Sequence, residues 1–374
     1  MDDKTSTIEI DLIKELNEKN KEENFVFSPL GIEIILSFFS NGAEGETLKE
    51  ILKLLKYKNI EEVNKKSKEI IDELNKNEEI IKIANAILTK VKAKDKFIKI
   101  GKDKYDAKVE ILKNFDSVNK WARDKTKNNI NKIIDSLLPD IIMVLLNALY
   151  FEAFWVIKFD KNDSKEKPFY NLDKESEEVK TTMMFLRGTK LNYYENTYLQ
   201  AVKLKYEKAT SFNAIIILPK EGYGINRLIG QFDNKMYEEI IEGLKNEEKL
   251  NVELPKFEIE FKVELSDILQ KLGIEKAFTN DAELKGICDK SPIHINNVIQ
   301  KNYINVNEEG TQAYSVTELE VILECFKDKD PNSKDFIVNR PFIFLIRDEL
   351  LPKGRDILFF TKLCKAIEEE DNDF

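Results

Sequence analysis

The sequence has 374 residues, of which 42% are hydrophobic and 34% are charged. This is enough apolar material for a sizeable core, which excludes a wholly disordered chain. The 59 Lys and Arg against 69 Asp and Glu give a net charge of −10, the wrong sign for a general nucleic-acid binder. A single histidine, His294, excludes multi-histidine metal sites and would have to serve any Ser-His-Asp machinery.

The ends of the chain and its cysteines indicate a reducing compartment. The polar, acidic start from Met1 to Ser6 does not resemble a signal peptide, and no apolar run reaches the roughly 20 residues that span a bilayer. Cys288, Cys325 and Cys364 show neither metal-ligand spacing nor a disulfide framework. We therefore expect a cytoplasmic protein, with export by an unconventional route left open.

The first part of the chain reads as mainly helical. Ile8 to Leu16 keep apolar residues on one helical face, and Ser28-Pro29 place a cap before a proline at the first position of the next helix. The pattern predicts helices at Gly31–Phe39, Thr47–Leu55, Ile60–Leu74 and Phe115–Ile134, and a strand at Ile80–Leu88.

After that the pattern favours strands. Ile141–Phe151 is a nearly continuous apolar run, typical of a central strand covered on both faces. Helices first and strands later, without a linker, predict one large α+β domain over residues 1–374. Further strands are expected at Val179–Phe185, Leu199–Tyr206, Ala214–Leu218, Leu250–Leu254, Phe257–Val263, Val298–Val306, Phe342–Ile346 and Ile357–Leu363, with a short helix at Ser266–Leu272.

The segment after Gly310 separates by parity into two kinds of side chain. In an extended chain, successive side chains point to opposite faces. One set holds all three charges, and we expect it to face water. The other set has only small, hydroxylated or branched apolar side chains: Thr311, Ala313, Ser315, Thr317, Leu319, Val321 and Leu323.

Two interpretations of this segment stay open on pattern alone. A polar, turn-forming stretch follows it at Lys327–Asp335, so it could be an edge strand followed by a long hairpin loop. It could also be a segment that is exposed in one state and inserted into a sheet in another.

Motifs in order along the whole chain resemble those of the serpins. Each motif alone is a weak match, but their common order is a strong one. They are Asn24–Ile32, Gly42–Ile51, Asn147–Trp155, Leu254–Phe257 with Leu272–Phe278, Asn307–Ala313, and Val338–Phe344 with Leu358–Phe360.

The resemblance implies the serpin fold, with three β-sheets, about nine helices and an exposed reactive-centre loop at about residues 308–336. It also implies a suicide inhibitor of serine proteinases, and not an enzyme, whose loop is cleaved and then inserts into the central sheet. A non-inhibitory binding protein of the same fold and a cross-class inhibitor of cysteine proteinases are the alternatives. The expected partner is a target serine proteinase in a covalent complex with a monomer, without nucleic acid, membrane, metal or cofactor.

The resemblance also implies roles for individual residues. It gives Glu308, Glu309, Gly310, Thr311, Gln312 and Ala313 as the hinge, and the uncharged parity set as the inserting face. Sheet opening would be supported by Trp155, Asn147, Ser28 and Gln300. Family spacing places the reactive bond at Glu324–Cys325, with Phe326 and Lys327 as alternative specificity residues.

Two positions depart from the family pattern together. Gly31 stands where the family usually has a serine beneath the sheet opening, and Gln300 stands where many members have a histidine that bonds to it. We interpret the two as a joint substitution that affects sheet opening and leaves the fold unchanged.

Overall fold

The structure is a computed structural model that describes residues 6–112, 115–126, 130, 132–134, 141–172, 178–208, 211–289, 292–312 and 329–366. Within these ranges no helix is long and apolar enough to cross a lipid bilayer. The α-helices of the described residues are α1 (Ile8–Lys19), α2 (Pro29–Ser40), α3 (Gly45–Leu55), α4 (Ile60–Asn75), α5 (Asp95–Tyr105), α6 (Phe115–Lys125), α7 (Ile225–Gln231), α8 (Asn234–Gly243) and α9 (Ser266–Lys271).

The strands form two sheets of seven and nine members. They are β1 (Phe25–Phe27), β2 (Ile81–Thr89), β3 (Ala107–Ile111), β4 (Met143–Phe151), β5 (Ala153–Phe154), β6 (Lys165–Tyr170), β7 (Glu178–Glu195), β8 (Leu199–Lys205), β9 (Phe212–Pro219), β10 (Glu247–Pro255), β11 (Phe257–Glu264), β12 (Asn297–Val306), β13 (Gly310–Gln312), β14 (Lys334–Ile337), β15 (Phe342–Asp348) and β16 (Ile357–Leu363).

The seven-stranded sheet is organised around β4. Its order is β3-β2-β4-β12-β13-β5, with β11 paired to β12. Every residue of β4 is buried, because α2 packs against one face and a second apolar cluster covers the other. The predicted central strand with two covered faces is therefore confirmed.

The covering of the outer face corrects one helix prediction. The helix expected over Phe115–Ile134 ends at Lys125, and the described residues beyond it are not helical. Asn119 in α6 accepts from the backbone N–H groups of Ile133 and Ile134 and donates to the Ile134 carbonyl. The chain therefore returns along the helix and places Ile133 and Ile134 against β4, instead of extending the helix.

The nine-stranded sheet combines the two smaller sheets that the fold prediction requires. Its order is β1-β16-β15-β9-β8-β7-β10-β14, with β6 also paired to β7. The long strand β7 belongs to both parts, and its pairing with β10 shifts register between Leu250 and Val252. Such a bulge bends a strand and raises its local twist.

Candidate functional site

The hinge residues form a short hairpin at the upper end of β12. Antiparallel pairing joins Val306 to Thr311 and Asn305 to Gln312. The side-chain Oδ1 of Asn307 accepts from the N–H groups of Glu309 and Gly310, at 3.0 and 3.3 Å. The turn from β12 into β13 is thus closed by an asparagine that bonds its own loop.

The second edge of β13 pairs with β5, so the hinge lies between two strands. Gly310 is opposite Phe154 and Thr311 is opposite Ala153. A Cβ atom on Gly310 would come within 2.1 Å of the Ala153 carbonyl oxygen. The φ angle of Gly310 is not positive, so its backbone conformation does not itself require glycine. Glycine is required because the Ala153 backbone leaves no room for a side chain.

Thr311 is buried, with 1% of its surface exposed. Its Oγ1 lies 2.7 Å from the hydroxyl of Tyr206, whose ring stacks on Trp155 at a centroid distance of 4.6 Å. Burial raises the pKa of Tyr206 well above its ordinary value, so this hydroxyl stays protonated and able to donate. Trp155 donates from Nε1 to the Asn307 carbonyl at 3.0 Å, so its indole contacts the turn between β12 and β13.

The two glutamates of the hinge are held in different ways. Glu308 is buried, and Ser164 donates to its carboxylate at 2.8 Å. The Glu309 carboxylate pairs with Lys158 at 2.9 Å and Lys161 at 3.7 Å. The backbone carbonyl of Glu308 accepts from the Phe159 N–H, and that of Glu309 accepts from the Trp155 N–H.

Below the hinge, β4 and β12 pair directly. We call this boundary the central seam: residues 144–149 pair in parallel with residues 297–302. At the top of the sheet β13 lies beside β12, between it and β5. The sheet is thus already opened at one end, where the hinge occupies the gap.

An amide network bridges the central seam. Gln300 on β12 donates to Asn147 on β4 at 2.6 Å and to the Ser28 carbonyl at 2.9 Å. Its Oε1 accepts from the Ser28 N–H and from Asn302, both at 2.8 Å. All four hydrogen-bonding positions of the Gln300 amide are therefore occupied, and Asn147 continues the network to Asn85 on β2 at 2.8 Å.

Gly31 lies under the same network. Ser28 caps α2 by accepting from the Gly31 N–H at 3.0 Å, as the sequence predicts. A Cβ atom at position 31 would be 2.3 Å from Asn147 Oδ1. Glycine at 31 therefore leaves space for the Asn147–Gln300 contact, which supports the joint interpretation of the two departures from the family pattern.

The structure brings the described candidate residues into two adjoining groups. Trp155 and residues 308–312 meet at the hinge, and Ser28, Asn147 and Gln300 meet at the central seam. The remaining predicted residues lie outside the described residues and stay predictions: Ala313, Ser315, Thr317, Leu319, Val321, Leu323, Glu324, Cys325, Phe326 and Lys327.

Several residues of these groups are absent from the sequence prediction. Tyr206 and Ser164 contact the hinge, and Asn85 and Asn302 extend the network. Asparagine is depleted in strands, so asparagines inside predicted central strands could have indicated a buried polar network. Tyr206 and Ser164 carried no such signal, because only the fold brings them to the hinge.

Comparison with known proteins agrees with this geometry. The family model described as "Serpin (serine protease inhibitor)" matches residues 3–366. Human Serpin I2 is 30% identical, over 98% of this chain and 92% of its own. Among solved structures, Serpin48, described as a highly specific serpin of the insect Tenebrio molitor, aligns at 28% identity and a TM-score of 0.81, covering 96% of each chain. Human thyroxine-binding globulin with thyroxine aligns at 23% identity and a TM-score of 0.85, covering 97% of each chain.

Proposed function

Because the chain belongs to the serpin family, we propose that it inhibits serine-type endopeptidases as a suicide substrate whose cleaved loop inserts into the seven-stranded sheet. The observation that carries this proposal is the hinge hairpin. Thr311 is buried between β12 and β5 in the uncut chain, so the first residues of the loop already occupy the path of an added strand.

The register of this hairpin supports the predicted inserting face. If pairing continues from Val306–Thr311, each step along the loop moves one residue back along β12. Ala313, Ser315, Thr317 and Leu319 would then lie opposite Ile304, Asn302, Gln300 and Val298. All four of these β12 residues are buried, and residues directly opposite in a ladder share a face. The uncharged parity set would thus face the core.

The same register gives Thr317 a defined destination. Pairing of β13 with β5, continued along β4, brings Thr317 opposite Asn147, while pairing with β12 brings it opposite Gln300. These two side chains bond to each other across the closed central seam. Insertion would break that bond and offer both amides the Thr317 hydroxyl, so neither would be left unpaired in the core.

The other parity set has a different destination from the one the sequence suggests. We expected its side chains to face water. On the outer face of the central seam, Leu146, Ala148 and Ile299 pack against Ile133 and Ile134, which cover them. Insertion would therefore require this covering segment to shift as the strand enters.

The chemistry begins as ordinary proteolysis. The proteinase serine adds to the carbonyl carbon before the scissile bond, and that bond breaks as the amine leaves with the proton taken from the serine hydroxyl. An ester then joins enzyme and inhibitor. Insertion would replace the six-residue pairing of β4 with β12 by hydrogen-bonded ladders on both sides of the freed strand. Over a dozen residues the gain in free energy is on the order of 10 kcal/mol. Trapping requires that insertion finish before water hydrolyses the ester.

A panel of serine proteinases, with cysteine proteinases included, tests the proposal. A covalent complex that survives denaturing electrophoresis, with a released C-terminal fragment identified by mass spectrometry, is the expected result and locates the bond among residues 324–327. Complete cleavage in the loop by every enzyme without such a complex would reject inhibition. It would favour a serpin-fold protein that binds a partner or ligand without trapping a proteinase.

A further inference from the structure

Asn251 holds the segment that follows the loop. Its Nδ2 donates to the Asp330 carbonyl at 3.0 Å and to the Asp335 carboxylate at 3.1 Å. Its Oδ1 accepts from the N–H groups of Asp330 and Gly188, both at 3.2 Å. The buried amide thus makes every hydrogen bond available to it. We call Asn251 with Lys249, Asp330 and Asp335 the Asn251 clamp.

The bulge between β7 and β10 directs Asn251 to this position. Register changes between Leu250 and Val252, so Asn251 is the residue at the irregularity. The opposite strand passes through Gly188 with a φ of +58°, a conformation that favours glycine. A Cβ atom there would lie 3.0 Å from Asp330 Oδ2. The turn at Asp330 is therefore seated on a site shaped by both strands.

Charge pairs reinforce the clamp. Lys249 lies 2.5 Å from the Asp330 carboxylate, and Lys329 lies 2.5 Å from that of Asp335. Hydrogen bonding from Lys249 and from the Asn332 N–H lowers the pKa of Asp330 below its ordinary value. By contrast, β14 itself is an edge strand with four residues in parallel pairing to β10, which is a weak attachment.

Both ends of the loop are anchored beside the same short turn at residues 161–164. Ser164 donates to Glu308 of the hinge. The carboxylate of the neighbouring Asp163 lies 3.7 Å from the guanidinium of Arg187. The next residue, Gly188, donates its N–H to Asn251. The loop therefore leaves and rejoins the molecule at one end of the seven-stranded sheet.

Chain length shows what this arrangement forbids. An inserted strand from 311 to 323 descends about 41 Å at roughly 3.4 Å per residue. An uncut chain must climb back over a similar distance. From 323 to a clamped Asp330 it can reach only about 24 Å, and to Lys334 about 37 Å, whereas Val338 lies within about 51 Å. Full insertion without cleavage therefore requires release of both the clamp and β14.

We infer that the Asn251 clamp is the lock that makes loop insertion depend on cleavage, with Asn251 as its positioning residue. This inference rests on the proposed function, in which the same loop is the inserting strand. Cleavage frees residues 311–323 from the clamped side, so the clamp has no effect once the bond is cut. An intact loop is kept outside the sheet by the clamp.

Asn251→Asp is the sharpest test, because it keeps the side-chain shape and the accepting oxygen but replaces the donor group with a second acceptor. That acceptor would face the Asp330 carbonyl and the Asp335 carboxylate. Wild type, this variant and Asn213→Asp are incubated at 40 °C without proteinase. Asn213 is an equally buried asparagine on β9 whose amide donates to Ser211. Brief pulses of thermolysin then measure the fraction of chains still cut within residues 313–328, and hydrogen exchange follows the amides of residues 334–337.

We expect Asn251→Asp to lose loop cleavage roughly tenfold faster than wild type, with exchange of the β14 amides rising in parallel. Asn213→Asp should behave as wild type. The exchanged pair Asn251→Asp with Asp335→Asn should recover part of the lost protection, because the introduced amide could then donate to the introduced carboxylate. A wild-type rate in Asn251→Asp, a loss with β14 still protected, or an equal loss in Asn213→Asp would overturn the inference. Failure to trap any proteinase would reject the proposed function. The rates of loss of loop cleavage could still be measured in that case, because this assay does not depend on trapping.

Discussion

The buried side chain of Thr311 provides a direct test of the proposed inhibition. Its side chain lies between two strands in the uncut protein and bonds Tyr206. In Thr311→Arg a guanidinium would have to enter the core, at a cost of several kcal/mol. We expect this variant to be cleaved at a rate near that of wild type, with at least tenfold fewer cleavage events ending in a covalent complex. The measurement is the stoichiometry of inhibition on denaturing gels.

Gln312→Arg is the matched control for this prediction. It introduces the same charge one residue later, on the opposite parity set, and should keep most of the covalent complex. If Thr311→Arg trapped enzyme as efficiently as the parent, burial of residue 311 between β12 and β5 would not be needed for trapping. If both variants failed equally, charge near the hinge would explain the loss better than burial.

Lys362 is a fully buried lysine whose ammonium group has no carboxylate within ion-pairing distance among the described residues. It donates to Asn17 Oδ1 at 2.9 Å and to the carbonyls of Asn20 and Lys21 at 2.6 and 3.0 Å. These carbonyls follow the end of α1, where a positive charge is favourable. Burial nevertheless lowers the pKa of Lys362 to about 8.

This pKa predicts how stability depends on pH. An unfolded lysine titrates near 10.4, so between pH 8 and 10 the unfolded chain binds more protons and stability rises with pH. Lys362→Met should lower the free energy of unfolding by about 2–4 kcal/mol, because several buried acceptors lose their donor. Urea denaturation at pH 7.5 and 9.5 should show a larger deficit of the variant at pH 9.5. An equal deficit at both pH values would show that Lys362 is not titrating there.

At the scale of the elements, α2 and the central seam are coupled through positions 31 and 300. A serine at 31 would place its Cβ 2.3 Å from Asn147 Oδ1 and displace the partner of Gln300. We expect Gly31→Ser to lower the free energy of unfolding by about 1–3 kcal/mol. Gln300→His alone should also destabilise, because the four hydrogen bonds of the amide cannot all be replaced by an imidazole.

The double variant is the informative one. Gly31→Ser with Gln300→His restores the usual family pair, so we expect it to be more stable than the sum of the single changes predicts, by about 1 kcal/mol or more. Denaturant unfolding of all four proteins measures this coupling. Additive effects would mean that the two positions changed independently.

The elements that periodicity predicts well are those buried by their own sequence pattern. The run at 141–151 became β4, and the alternation at 257–263 became β11 with alternately buried and exposed residues. The helix expected over Phe115–Ile134 was wrong beyond Lys125, because Asn119 binds the returning chain and this contact is invisible in a period of 3.6. The helices α5 and α8 were not predicted, since charged residues dilute their apolar faces. The helix α7 was not predicted because its seven residues complete only about two turns.

Only those residues of the candidate site that belong to family motifs could be predicted from the sequence. Gly310, Trp155 and Gln300 were found by resemblance, and the structure supplies physical reasons that the motifs do not state. Gly310 is needed for close approach to Ala153, a requirement that the motif alone does not explain. Tyr206 is more than 100 residues from Thr311 in sequence, and a contact of that separation requires the tertiary fold.

At the scale of the whole molecule, the proposed function requires an uncut state that is not the most stable one. The central seam has one pairing of residues 144–149 with residues 297–302, where an inserted strand would be paired on both sides. The Asn251 clamp keeps the intact loop from reaching that state. The free energy available on insertion therefore stays unused until a proteinase separates the two ends.

Thermal unfolding of cleaved protein measures that free energy. A proteinase that cuts within residues 324–327 without being trapped yields a nicked chain whose strand can insert. A gain on the order of 10 kcal/mol in a chain of this length should raise the unfolding temperature by roughly 15 °C. Thr311→Arg cleaved in the same way should show a much smaller rise, because its strand cannot enter past the first position. Nicked wild type that melts with the uncut protein would mean that the freed strand stays outside the sheet, and inhibition by insertion would then have no driving force.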